Sequence, residues 1–475
     1  VISTLAGLVM GMLPGLSATM AIALLTGLTY NLPTQSALIS LLGVYVGSIS
    51  GGCQSAILLN IPGTPASAAT ASDGFPMANQ GKGGFAIFLA TTASCLGTLL
   101  SVVCVMAFTP LLTSISLKFG AWEFFLLAIF GIVICGSLTS GDNALKGWIA
   151  GIMGLFIAQI GLDKLSAMPR FCFGSINLMS GVQLIPVMIG LFGFPEIIKA
   201  FRKNEEKILK MSPFHVKEGF KEIGWNFVAI VRSSLIGVGV GIIPGVGEDV
   251  GGWLSYWASK ATSKEPETFG KGNPKGVISA ESGNNACIGG AIIPVLSLAV
   301  PGSAPAAVLL AAFLMHGYRP GPLLMNETPE FLYQVCIYLA ASAIIMWFFS
   351  LILARFTVRI LGLKIVLMPV IFVLCVVGSY VINYNMFDVK VMFVFGILGF
   401  IMSELHFPAA PFLLGVILGP MADSNLRRAL NISNGSIMPM FERPICLVFM
   451  AMILVLILAQ IGVFRKMKQA WKGGR

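Results

Sequence analysis

Charge is scarce in this 475-residue chain: only 11% of its residues are Asp, Glu, Lys or Arg, where soluble domains carry about 25%. So few charges cannot cover a water-facing surface. Histidine occurs three times, at His215, His316 and His406, with neither an HExxH spacing nor a Cys/His cluster, so no zinc-ligand pattern exists. A GxxxxGK[ST] phosphate loop is missing, which excludes ATP hydrolysis by that route, and there is no GxSxG nucleophile elbow. The chain is therefore not read as an enzyme, and no cofactor is expected. None of the nine cysteines makes a CxxC pair; Cys95, Cys104, Cys336 and Cys446 fall inside apolar runs and read as small buried hydrophobes. No cleavable signal peptide is visible, and because Val1 already lies in an apolar stretch, a natural start upstream of it is expected.

What is present is apolar sequence. Hydrophobic residues make up 56% of the chain and the mean hydropathy is +0.89. A membrane helix needs about 20 mostly apolar residues. Phe331 to Ala354 is such a run without a charge, and Ile445 to Phe464 another, interrupted only by Gln460. Further runs, among them Ala37–Leu59, Gly84–Leu112, Trp148–Leu162, Phe227–Ala258 and Ile278–Ala299, bring the expected total to ten to twelve crossings. The fold class is all-α: a polytopic membrane protein, several of whose helices are interrupted.

The net charge of +10 is concentrated at the ends of apolar segments. Lys199, Arg202, Lys203, Lys207, Lys210, Lys217 and Lys221 share one central loop; Arg465, Lys466, Lys468, Lys472 and Arg475 form a tail without an acid. By the positive-inside rule both are cytoplasmic. The basic balance thus belongs to a multi-pass protein of a bacterial inner membrane, whose partner is the lipid bilayer and not nucleic acid.

Two halves can be superposed. GLVMGMLPGL (Gly7–Leu16) matches GVGVGIIPGV (Gly237–Val246), and LLNIPGTPA (Leu58–Ala66) matches SLAVPGSAPA (Ser297–Ala306), in the same order. We expect a first transmembrane repeat over 1–198, a basic linker over 199–226 and a second repeat over 227–475. Internal duplication is common in secondary transporters, which bind substrate where their repeats meet. Parallel and inverted repeats both remain open.

Two Pro-Gly sites in each half match across the repeat: Pro14-Gly15 and Pro62-Gly63, then Pro244-Gly245 and Pro301-Gly302. Proline removes a backbone donor and glycine admits unusual dihedrals, so each site should break a membrane helix. Broken backbone in a bilayer is tolerated where it is buried in protein or lines a wet cavity, and each new helix start offers N–H groups to an anion. A packing kink is the plain alternative. Four sites, paired across a repeat and followed by small polar residues, favour a binding site. Its candidates are Gly15, Ser17, Thr19, Asn60, Pro62, Gly63, Thr64, Ser67, Gly245, Gly247, Pro301, Gly302 and Ser303. Asn284 and Asn285, adjacent amides in an apolar segment, either bond between helices or coordinate substrate or ion. Glu281 is functional if intramembrane and an ordinary interfacial charge if not. Glu248 and Asp249 read either as helix caps or as ligands of a coupling cation. Asp73 is expected to end a loop or turn.

These landmarks together resemble the large membrane subunit of the tripartite tricarboxylate transporter family. The similarity is carried by GMLPGLSATMAIALL, GGCQSAILLNIPGTPASAATASDGFPMANQGKGG, PRFCFG, GIIPGVGEDVGGWLSYWASK and the stretch from FGKGNPKG to GYRPGPLL, and it spans nearly the whole chain. The resemblance implies an importer of small di- or tricarboxylates driven by a Na+ or H+ gradient. It also implies a small membrane subunit and a periplasmic substrate-binding protein as partners. A passive organic-anion channel and a non-transporting scaffold are the alternatives; the oligomeric state, homo-oligomer included, is left open.

Overall fold

A computed structural model describes residues 1–460 except 14–15, 140–142, 164–166, 196, 199–211, 358–363 and 382. Pro14, Gly15, the basic cluster from Lys199 to Lys210 and the C-terminal tail thus lie outside the described residues. In chain order the principal helices are α1 (Ile2–Met12), α2 (Ala18–Thr29), α3 (Thr34–Leu59), α4 (Ala68–Met77), α5 (Gly83–Ser116), α6 (Ala121–Thr139) and α7 (Ala144–Ile157). A two-residue antiparallel pair follows, β1 (Gly161–Leu162) with β2 (Pro169–Arg170), in the register Gly161 to Arg170. Then come α8 (Leu184–Met188), α9 (Val216–Trp225), α10 (Phe227–Ile242), α11 (Gly247–Ala261), α12 (Pro274–Leu298), α13 (Ala304–Met315) and α14 (Glu330–Ala354). Last are α15 (Lys364–Val381), α16 (Met386–Glu404), α17 (Ala409–Ile432) and α18 (Pro444–Gln460).

The chain is an all-α polytopic membrane protein. Among the described residues six helices are long and apolar enough to cross a bilayer, and a seventh span results if α9 and α10, bent by 68°, are joined. Shorter apolar helices, α1, α2, α7, α13 and α18 among them, flank breaks or run beside the long ones. The continuous apolar run Phe227–Ala258 is split between α10 and α11 by the third Pro-Gly site, and the run Trp148–Leu162 ends its helix at Ile157.

Two compact units divide the chain, 1–114 with 185–400 and 115–184 with 401–475. Each therefore draws on both halves of the sequence. In the first, α12 packs against α10, α11 and α4, while α3 packs against α1, α2 and α14. Every residue of α12 from Gly276 to Leu298 is buried, although it carries Glu281, Asn284 and Asn285. α14 shows the opposite pattern: Tyr333, Ile337, Ile344, Phe348 and Ile352 form an exposed stripe at helical spacing. An apolar outward face beside a polar, buried central helix is the arrangement a lipid solvent selects. In the second unit α17 packs on α6 and α7, and α18 on α6.

Candidate functional site

The repeat recurs as three-dimensional contacts within the first unit. Gly7 and Gly11 of α1 face α3 so closely that a Cβ would lie 2.6 Å from the Val44 carbonyl and 2.2 Å from the Ser48 carbonyl. In the second half Gly237 and Gly241 of α10 meet the carbonyls of Gly283 and Cys287 at 2.1 and 2.6 Å. The first helices are related by an offset of 230 (237 − 7) and the second by 239 (283 − 44 and 287 − 48). The same 239 relates the breaks. α3 ends at Asn60 (φ 58°) and α12 at Ala299 (φ 56°), both left-handed. Alanine holds that conformation at a cost of roughly 1 kcal/mol or more. Beyond it, a Cβ on Gly63 would lie 1.9 Å from the Gly11 carbonyl, and one on Gly302 would lie 1.9 Å from the Gly241 carbonyl. Only glycine lets the broken segment lie against the neighbouring backbone in each half.

The expected site residues among the described ones are placed as follows. Ser17 caps α2 by accepting from the Met20 N–H at 3.1 Å, and Thr19 is buried. Gly63, Thr64 and Ser67 are buried, Pro62 is half-buried and Asn60 is exposed. The hydroxyls of Thr64 and Ser67 both face Gly52, each 2.6 Å from where a Cβ would stand. Thr64 Oγ1 is buried without a hydrogen-bond partner. The third and fourth breaks are bonded to each other, the Gly245 N–H donating to the Pro301 carbonyl at 3.3 Å. Gly245 and Gly247 have φ of 74° and 70°, and Gly247 packs beside Ser303. Pro301, Gly302 and Ser303 are buried, and the Ser303 hydroxyl caps α13 by accepting from the Ala306 N–H at 3.2 Å.

Two buried carboxylates tie the halves together. Glu248, at the start of α11, accepts from the Tyr45 hydroxyl and from the Ser303 hydroxyl at 3.0 Å. Glu281 is 0% exposed. It accepts from the hydroxyls of Thr70 and Ser94 (2.7 Å) and lies 3.4 and 3.3 Å from the amides of Asn284 and Asn285. Both amides bond between helices: Asn284 donates to the Ala66 carbonyl at 3.0 Å, and Asn285 donates to Ser94 at 2.9 Å and accepts from Ser50 at 2.6 Å. No Lys, Arg or His pairs with Glu248 or Glu281 among the described residues. Asp249, one residue on, is exposed. A buried carboxylate ringed by neutral hydroxyl and amide groups is a shell that can take a hard monovalent cation or a proton.

Asp73 sits inside α4 rather than ending a turn. Its Oδ1 accepts from the backbone N–H groups of Gly270, Gly272 and Asn273, each at 2.8 Å, so it shapes the turn before α12 from across the fold. Tyr45, Ser50, Thr70 and Ser94 are absent from the site residues expected from the sequence. A sequence signal does exist: hydroxyls spaced a few residues apart within apolar helices, as in TTAS (Thr91–Ser94) and in GVYVGSIS (Gly43–Ser50).

An all-α membrane protein with paired broken helices, and with buried acids where the two halves interlock, is by class a membrane transporter. The chain matches the model of the tripartite tricarboxylate transporter TctA family over residues 1–414, and it belongs to that family, which is a family of transporters and not of enzymes. It is similar to an uncharacterized 52.8 kDa protein in the TAR-I ttuC′ 3′ region of Agrobacterium vitis, 35% identical over 460 residues, covering 94% of this chain and 89% of the relative. A second Agrobacterium vitis protein, uncharacterized and in the TAR-II ttuC′ 3′ region, is 35% identical over 214 residues, covering 43% of this chain and 86% of that relative. No solved structure matches the chain.

Proposed function

We propose that this chain is the large membrane subunit of a cation-coupled, binding-protein-dependent secondary transporter that imports small di- or tricarboxylates across the bacterial inner membrane. In this reading a small membrane subunit and a periplasmic substrate-binding protein complete the system, with the central loop and C-terminus in the cytoplasm. The repeats run over 1–198 and 227–475, joined by 199–226. The observation that carries the proposal is the pair of buried acids, Glu248 and Glu281, that have only neutral partners and sit beside the helix breaks. Such acids take up Na+ or H+ more readily than acids already neutralised by arginine.

The anionic substrate is assigned to the breaks, where the Thr64 hydroxyl is uncommitted and where Ser17, Ser67 and Ser303 stand at helix starts. Gly15, Thr19, Asn60, Pro62, Gly63, Gly245, Gly247, Pro301 and Gly302 shape that backbone. Asn284 and Asn285 join the two functions, since they contact Glu281 and the carbonyl of Ala66. Asp249, being accessible, serves at the entrance for the cation. Uptake by proteoliposomes supplied with the binding protein and a loaded carboxylate tests this. Accumulation above the outside concentration, driven by an imposed Na+ or pH gradient, is expected. Flux that stops at equal concentrations would mean a passive anion channel, and no flux would mean a scaffold.

A further inference from the structure

α9 and α10 meet at the 68° bend, and the two sides of α9 differ. One side packs inward through Ile223, which is buried, and Phe220, whose ring lies edge-on to Phe88 with centroids 5.1 Å apart. The other carries Lys217 and Lys221, with the Lys221 ammonium 4.6 Å from the centre of the Trp225 ring. Trp225 is 70% exposed. Tryptophan and lysine on a short helix lying across the start of an apolar one mark the membrane–water interface.

Just past the bend, Phe227, Val228, Val231, Arg232, Leu235 and Ile236 line an open groove of about 570 Å³. All are apolar except Arg232. Its guanidinium donates to the hydroxyls of Thr262 and Ser259, at 2.5 and 2.6 Å, and Nε is buried without a partner. These contacts join the second turn of α10 to the last turn of α11. Ser259 in turn bonds Ser279 of α12 at 2.5 Å, so Arg232 lies in the layer where several helices begin or end. No carboxylate pairs with it among the described residues. Lys275, one turn before Ser279 on α12, brings a second cation to that layer. Two cations with no acid partner among the described residues, at the end of an apolar groove beside an interfacial helix, call for an anion with a hydrocarbon tail.

We propose that this groove binds an anionic phospholipid, with an acyl chain along Val228, Val231 and Leu235 and the phosphate against Arg232. The guanidinium has five N–H donors, and the two hydroxyls engage two of them. A free phosphate would leave the apolar groove unused, and a choline or ethanolamine headgroup would bring a third cation to the pair. The opposite end of α10 is the Ile243–Val246 break, so a lipid held here grips the helix that carries the third Pro-Gly site.

Native mass spectrometry of the purified full chain tests the proposal, with phosphatidylglycerol and phosphatidylcholine of identical chains and, separately, inorganic phosphate. Phosphatidylglycerol adducts should survive activation that removes phosphatidylcholine, and inorganic phosphate should not displace them. Arg232→Gln should lower phosphatidylglycerol retention about fivefold, the worth of one cation near an anionic headgroup. Leu235→Trp, which fills the groove and leaves the hydrogen bonds of Arg232 in place, should remove it and decides the matter if Arg232→Gln fails to fold. Equal retention of both lipids, displacement by inorganic phosphate, or unchanged retention in the Trp variant overturns the proposal.

Discussion

The two compact units treat their buried acids in opposite ways. In the second unit the buried Asp163 bonds Arg427 at 2.6 Å and Arg170 at 3.3 Å, the buried Glu123 bonds Arg443 at 2.7 Å, and the half-buried Asp423 bonds Arg170 at 3.0 Å. In the first, Glu248 and Glu281 have hydroxyls and amides, and Asp73 has backbone N–H groups. A carboxylate beside arginine has its charge balanced within the protein, and its task is to hold elements together. A carboxylate among neutral donors leaves that balance to a visitor. In the proposed function, Glu248 and Glu281 of the first unit are the exchangeable acids, while Asp73 and the acids of the second unit hold structure.

The strongest way to break this comparison is Glu281→Gln. It keeps the shape and much of the bonding with Thr70 and Ser94, and should reduce gradient-driven uptake to background while the protein remains folded in the membrane. Uptake near the wild-type rate would remove Glu281 from the coupling role. Gly302→Leu ranks next, because the side chain would collide with the Gly241 carbonyl. It should abolish uptake, and overpacking of this kind costs roughly 1–3 kcal/mol or more. Gly63→Leu should do the same if the halves are equivalent, so unequal melting temperatures in the two variants would show that the repeat contacts differ in strength.

Asp163→Asn sharpens the contrast from the other side. Breaking a buried pair costs about 3–5 kcal/mol, but Arg170 and Arg427 are 27% and 33% exposed, so about 1–3 kcal/mol is the discounted expectation. Thermal unfolding should register that loss while the cation dependence of the remaining uptake stays unchanged. The smallest effect is expected from Ser94→Ala, which removes one donor from Glu281. A hydrogen bond to a charged group is worth about 1.5–3 kcal/mol, and because Glu281 keeps Thr70 and both amides the lower end applies, so the apparent affinity for the coupling cation should change by about tenfold. Titration of uptake against Na+ at several pH values measures it.

Much of this arrangement is legible in the chain. The apolar runs announce the membrane, and Gly7, Gly11 and Pro14 recur at Gly237, Gly241 and Pro244 because the same close helix crossing is built twice. The run Phe227–Ala258 shows the limit of hydropathy alone: its apolar character continues through a break that only Pro244-Gly245 betrays. The partners of Glu281 are not foreseeable, since Thr70 and Ser94 lie about two hundred residues away in sequence and local patterns carry no information on such pairings. Asp73 escapes for the same reason. A lone acid before a glycine reads locally as a turn, whereas its three N–H partners come from residues 270–273.

Cation binding by the purified protein, followed with radioactive Na+ and by proton uptake after a pH jump, examines the division of labour between the acids most directly. Wild type and Asp163→Asn should bind alike, while Glu281→Gln and Glu248→Gln should each lose binding. Full binding in both glutamine variants, or its loss in Asp163→Asn alone, would contradict the assignment of exchangeable acids to the first unit.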